Sequence, residues 1–111
     1  MVKHRSCPLD ATFAALADPT RRRLLRELAK GHRRVTRLAA PFAMSLPAIS
    51  KHLRVLERAG LLKRRRRGRE HQLELVSKPM REAWRWIEQY RHFWEGSLDA
   101  LASYLEKDVK R

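Results

Sequence analysis

One cysteine, Cys7, is found in 111 residues. A disulfide within the chain and a thiolate metal cluster are both excluded. Acidic side chains are also scarce: 12 Asp and Glu face 26 Lys and Arg, for a net charge of +14. Such a chain favours polyanions, either nucleic acid or an anionic membrane surface. No apolar run approaches the roughly 18 residues of a membrane span. The start of the chain has no apolar segment of signal-peptide length. These absences predict a cytoplasmic protein with no membrane partner. No internal repeat and no low-complexity linker divides the sequence, and the length suits one domain over 1–111 with a modest core. No histidine–serine–carboxylate set, acid pair or phosphate loop can be placed, so no enzymatic role is expected. Ser50 and His52, two apart on a predicted helix, point in different directions.

What is present is concentrated charge and helical periodicity. Residues 1–50 carry ten basic and three acidic side chains, residues 51–77 nine and three, and residues 78–111 seven and six. Two basic stretches and a near-neutral last third imply different tasks.

"LDATFAALADPTRRRLLRELAKG" predicts two helices. Phe13 and Leu16 form the apolar side of the first, over 10–17. Asp18 and Pro19 restart the chain as an N-cap and first helical residue. Leu24, Leu25 and Leu28 point inward, and Gly31 ends the helix. Arg21, Arg22 and Arg23 are expected to be solvated helix surface. "VTRLAAPFAMS" predicts a short helix capped by Thr36, with Leu38 and Phe42 on one side and Pro41 inside it.

Ser45 then caps a helix whose first turn holds Pro47 and whose inward side is Ile49, Leu53 and Leu56, at i, i+4, i+7. Gly60 ends it. Its opposite side shows Pro47, Ser50, Lys51, Arg54 and Arg58, small near the start and basic along its length. Together 36–59 make a helix-turn-helix. Ala39 is small where the helices cross. Ala43 occupies the turn where glycine is usual, which costs about 1 kcal/mol if positive φ is required there.

Residues 61–76 predict a hairpin of strands 61–66 and 71–76 turning at Gly68. Leu73 and Leu75 alternate with polar neighbours. The run 63–67 is charged on both faces, so the outer half of the hairpin cannot cover a core and must project into solvent or onto a polyanion. Residues 79–107 predict one long helix. Met80, Trp84, Ile87, Trp94, Leu98, Leu101 and Leu105 follow three- and four-residue steps, beside a second line of Trp86, Tyr90 and Phe93. This exceeds what one small domain can cover and predicts a dimerisation helix. Gly96 is its expected weak point. The fold class is mainly α with a small β-hairpin: a winged helix-turn-helix of five helices, the wing lying between the fourth and fifth.

"ALADPTRRRLLREL", "VTRLAAPFAMSLPAISKHLRVLERAGLL" and "GREHQLEL" resemble the ArsR family of winged helix-turn-helix repressors over nearly the whole chain. The most specific part runs from Ser45 to Leu62. The resemblance implies a homodimer on double-stranded operator DNA, with the hairpin as wing and the terminal helices pairing. Phe13 and Leu16 then join Trp84, Ile87, Trp94, Leu98, Leu101 and Leu105 at the dimer interface.

A helix in the major groove reads base edges while a basic hairpin neutralises phosphates or enters the minor groove. Ser45, Pro47, Ser50 and Lys51 lie near the helix start, and Arg54 and Arg58 farther along. The family pattern adds His52. Arg65, Arg66, Arg67 and Arg69 are the expected wing contacts, and Arg37, with Arg34, an expected phosphate contact.

Many members of this family sense metals through a Cys-x-Cys pair in the short helix; "VTRLAAPFA" has none. Others use ligand pairs on the last helix, where this chain has His92 alone between Glu88 and Glu95. His4, His32, His52 and His71 fall in separate elements. Zinc needs three or four ligands, so no metal or other cofactor is expected, and Cys7 is an incidental thiol. The competing reading is a nucleoid-type or RNA-binding protein that uses the charge without reading sequence. Membrane association is disfavoured because the basic hairpin has no apolar anchors.

Overall fold

A computed structural model describes residues 8–31 and 34–109. Cys7, His4 and His32 lie outside the described residues. The element order is α1 (Pro8–Leu16), α2 (Pro19–Ala29), α3 (Val35–Ala39), α4 (Leu46–Arg58), β1 (Leu62–Arg67), β2 (Glu70–Leu75), α5 (Lys78–Gln89) and α6 (Arg91–Val109).

Local chemistry accounts for the main helix boundaries. The Asp18 carboxylate accepts the Arg21 N–H at 3.0 Å, satisfying one of the free donors at the start of α2. Ser45 Oγ does the same for Ala48 N–H at 3.3 Å at the start of α4. Gly60 follows α4 at φ +79°, a conformation that costs other residues energy, and turns the chain toward β1.

The core lies between α2, α4 and the root of the hairpin. Ile49, Leu53 and Leu56, the inward side of α4, are fully buried. They meet Leu24 and Leu28 of α2, Leu38 of α3, and Leu61, Leu62 and Leu73. The strands pair antiparallel from Leu62↔Leu75 to Arg67↔Glu70. Gly68 takes φ +62° and Arg69 does not take positive φ, the pattern of a two-residue type II′ turn. Arg34 also bridges Gln72, giving the hairpin a one-residue third strand. A single bridge has no periodicity, so the sequence contains no sign of it.

Three expectations need correction. Thr36 does not cap α3: the cap position is Arg34, with no side-chain bond, and Thr36 lies within the first turn. Pro41 is not inside the helix but follows its C-cap, Ala40, where a residue unable to continue a helix belongs. Ala43 does not take positive φ. The chain has residues 40–45 in which to reverse between α3 and α4, so it turns without a left-handed residue and the expected cost does not arise.

The long terminal helix is also divided. It breaks at Tyr90 (φ −102°, ψ 2°), while Gly96 sits inside α6. Tyr90 N–H donates to Ile87 O at 3.0 Å, a tight closure of α5, and Tyr90 O accepts the Trp94 N–H at 2.9 Å to begin α6. The Tyr90 ring packs on Trp86, with centroids 5.0 Å apart, and Trp86 meets the Phe13 ring edge-on at 5.8 Å. These aromatics hold α5 against α1. Beyond them α6 packs on α5 alone. It projects, which explains extents of 70 × 43 × 21 Å and a radius of gyration of 19.5 Å, against roughly 13 Å for a compact chain of this length. Among the described residues no helix is long and apolar enough to cross a membrane.

Candidate nucleic-acid interface

With Ile49, Leu53 and Leu56 turned inward, the opposite side of α4 is fixed by helical geometry. Pro47, Lys51, Arg54 and Arg58 are exposed on it and Ser50 is half-buried. Ser45 caps the same end. Neither Lys51, Arg54, Arg58 nor Arg37 on α3 has a carboxylate partner among the described residues.

The hairpin is split the same way. Near its root, cations are matched: Lys63 and Arg65 flank Glu74 at 3.9 and 3.5 Å, and Arg64 reaches back to Glu57 of α4 at 3.0 Å. Arg34 pairs with Glu70 at 3.0 Å. At the tip, Arg66, Arg67 and Arg69 have no carboxylate partner among the described residues; Arg66 Nε donates to the Gly68 carbonyl at 3.1 Å. Arg65 thus differs from its three expected companions. An exposed ion pair is worth little, typically under about 1 kcal/mol, so a phosphate can compete with Glu74 for it. Outside this region, among the described residues, Lys30 at the end of α2 pairs with Glu27 of that helix, and Arg91 of α6 pairs with Glu88 of α5 across the break between them. The Arg64–Glu57 pair ties the C-terminal end of α4 to the wing.

His52 does not join the outer face. It is half-buried, with Nδ1 3.5 Å from Arg21 Nη1 and 3.8 Å from Asp18 Oδ2. One residue before Leu53 and three after Ile49, it falls on the flank of α4 that meets the start of α2. The Arg21 N–H bond holds the Asp18 carboxyl below the usual carboxylate range; His52 and the Arg21 charge add to this and partial desolvation opposes it.

The arginine triplet of α2 is not idle surface either. Arg21 Nε donates to Ala15 O at 2.7 Å and its Nη2 to Ala14 O at 3.0 Å, while Arg22 Nη1 donates to Leu16 O at 2.7 Å. The last carbonyls of α1 have no helical partners, and cations suit that end of a helix. Arg23 donates to Pro41 O at 3.2 Å and lies 4.4 Å over the Phe42 ring, tying α2 to the turn before α4. The signal was available: a helix predicted to end near Ala17, followed within one turn by three long cationic donors.

At the other end of the chain, Trp84, Ile87, Trp94, Leu98, Leu101 and Leu105 are all exposed. Phe13 and Leu16, grouped with them by sequence, are half-buried within the chain, Phe13 against Trp86 and Leu16 against the core. Among the described residues no group of three or more His, Cys, Asp or Glu is placed to hold a metal ion.

Comparison with known proteins agrees with this geometry. A helix-turn-helix domain family matches residues 16–65. The HTH-type transcriptional regulator YuzN of Bacillus subtilis is 38% identical over 87 residues, covering 71% of this chain and 95% of that protein. The transcriptional repressor SdpR of the same organism is 30% identical over 79 residues, 71% and 88% of the two chains. The crystal structure of an ArsR family transcriptional regulator superposes with a TM-score of 0.73 at 36% identity, over 80% of this chain and 98% of that one. A homodimeric winged helix-turn-helix DNA-binding domain from Mycobacterium bovis gives 0.60 at 25% identity, over 84% and 83%. The chain belongs to the ArsR family of winged helix-turn-helix, DNA-binding transcriptional regulators.

Proposed function

We propose that the protein is a repressor that binds an inverted-repeat operator as a homodimer. The carrying observation is the division of its cations. Those on the outer side of α4, on Arg37 and at the wing tip have no acidic partner among the described residues, while those around them are matched. Unmatched cations on a projecting surface attract a polyanion at little desolvation cost.

In this reading α4 enters the major groove by its N-terminal half. Ser45 and Pro47 are small enough to let the helix start approach closely, and Ser50 and Lys51 reach base edges. Arg54, Arg58 and Arg37 bind phosphates, and Arg66, Arg67 and Arg69 carry the wing along the backbone, joined by Arg65 when it releases Glu74. His52 positions α4 against α2 rather than touching DNA. Two copies join through the exposed rows of α5 and α6, setting the recognition helices about one DNA turn (~34 Å) or a multiple apart. Among the described residues, ten of the fourteen exposed large hydrophobic side chains lie on these two helices and an eleventh, Tyr90, at the break between them, an apolar concentration that marks an interface. The Mycobacterium bovis neighbour is homodimeric, and the relative SdpR is a repressor; both favour the same reading. No metal ion enters it. At the junction of α5 and α6, zinc would meet His92 between Glu95 and a Glu88 already tied to Arg91 at 2.8 Å.

The test is selection of duplexes by the purified protein from a random pool, followed by competition. An operator-reading dimer enriches a two-fold symmetric sequence and prefers it to random DNA by roughly a thousandfold or more. A nucleoid-type protein enriches nothing and binds all duplexes alike.

A further inference from the structure

The exposed rows of α5 and α6 belong to the dimer already proposed, and the His52–Asp18–Arg21 cluster positions α4. A third feature is distinct from the cluster and shares only Met80 with those rows. Between α2, the root of the wing and the first turn of α5 lies a cavity of about 490 Å³, within the size range of small-molecule sites. Its walls are apolar: Leu25 from α2, Leu61 and Leu75 from the hairpin root, and Met80 from α5. Its charged members are Arg22 and Arg26, one helical turn apart on α2, and no carboxylate lines it. Arg22 Nη1 is held at the end of α1 by its bond to Leu16 O. Arg26 has no ion pair among the described residues. An apolar chamber whose only formal charges are two adjacent cations has a definite complement.

We infer that this cavity binds a small amphipathic carboxylate, its hydrocarbon tail against Leu25, Leu61, Leu75 and Met80 and its carboxylate on Arg26 and Arg22. Guanidinium groups suit that head group because they donate two parallel hydrogen bonds to a planar anion. The position links occupancy to DNA binding. Val76 N–H donates to Leu61 O at 2.9 Å, closing the hairpin root against the cavity, and Met80 belongs to the helix that leads into the dimer arm. A ligand that wedges Leu75 from Leu25 tilts the wing relative to α2. This coupling rests on the operator-binding proposal; the binding site does not.

The test is calorimetric titration of the full-length, DNA-free protein with sodium octanoate, so failure of the ligand site and failure of the operator reading are separate results. Saturable binding of one octanoate per protomer is expected. Hexanoate, shorter by two methylenes, should bind about tenfold more weakly. Octanol, with the tail but no charge, should bind at least tenfold more weakly than octanoate. Arg26→Ala should weaken octanoate about tenfold and Arg26→Lys less. Ala29→Phe, which fills the chamber from an exposed position of α2, should abolish binding while circular dichroism shows an unchanged fold. Arg67→Ala, at the wing tip, should leave octanoate binding unaltered and so separates the site from general attraction to a +14 chain. The inference is overturned by an absence of saturable binding, by octanol binding as tightly as octanoate, or by full binding to folded Ala29→Phe. A partner subunit seated over the cavity would give the first of these results.

Discussion

Leu98→Asp is the substitution that most directly tests how two copies join. Leu98 is 62% exposed in the protomer and follows Trp94 by four positions and precedes Leu101 by three and Leu105 by seven, a single helical seam. Fully burying a leucine contributes about 1.5–3 kcal/mol, so the exposed three-fifths leaves roughly 1–2 kcal/mol to be gained at an interface. Two-fold symmetry uses each side chain twice. Leu98→Ala should therefore cost the dimer about 2–4 kcal/mol, at least a 30-fold rise in dissociation constant. Leu98→Asp should cost more, since it buries two facing carboxylates. None of residues 91–107 of α6 is buried in the protomer, so the helix-turn-helix core should fold regardless. Sedimentation equilibrium at micromolar concentration should give monomer for Leu98→Asp and dimer for the parent. Operator affinity should fall with it, because the half-sites are no longer bound as one unit. A Leu98→Asp protein that remains dimeric with an unchanged dissociation constant refutes the α5–α6 interface.

Lys51→Ala should lower discrimination between operator and random DNA, by about 1–3 kcal/mol at the affected base pair; unaltered discrimination in competition binding would remove Lys51 from base readout. Arg66→Ala should weaken operator and random DNA by similar factors and reduce the slope of log K against log salt by about one; slopes equal to the parent's tell against the wing contact. Asp18→Ala removes the cap of α2 and should destabilise the fold by about 0.5–2 kcal/mol near neutral pH in urea melts. Because the folded-state pKa of Asp18 is lowered, its contribution is present above the unfolded value of 3.8 and is lost as pH falls through the depressed folded value. The difference between parent and Asp18→Ala should therefore narrow in melts below about pH 4; a constant difference would mean that the charge of Asp18 plays no part.

Much of this arrangement is legible in one dimension because the determining interactions are local. Asp18–Pro19 and Ser45 start helices through bonds to N–H groups three residues on. Ile49, Leu53 and Leu56 repeat at the helical period, so the exposed basic side of α4 follows from the buried one. The density of arginine in β1 makes a buried outer hairpin untenable whatever it packs against. The misses depend on partners distant in sequence. Thr36 resembles a cap, yet the chain enters α3 from a bridge between Arg34 and Gln72. Gly96 resembles the weak point of the last helix, yet the break falls at Tyr90, where an aromatic cluster with Trp86 and Phe13 holds α5 down.

The residues themselves determined which side chains could meet DNA, since charge density, helical period and capping are properties of neighbours along the chain. Only the tertiary structure decided which of those cations are free. Whether Arg65 is matched by Glu74, whether Arg21 closes α1, and whether His52 faces a groove or the start of α2 depends on groups brought together from separate elements. A charge's availability is set by what lies within a few ångströms of it, and that distance is not written in the order of the residues.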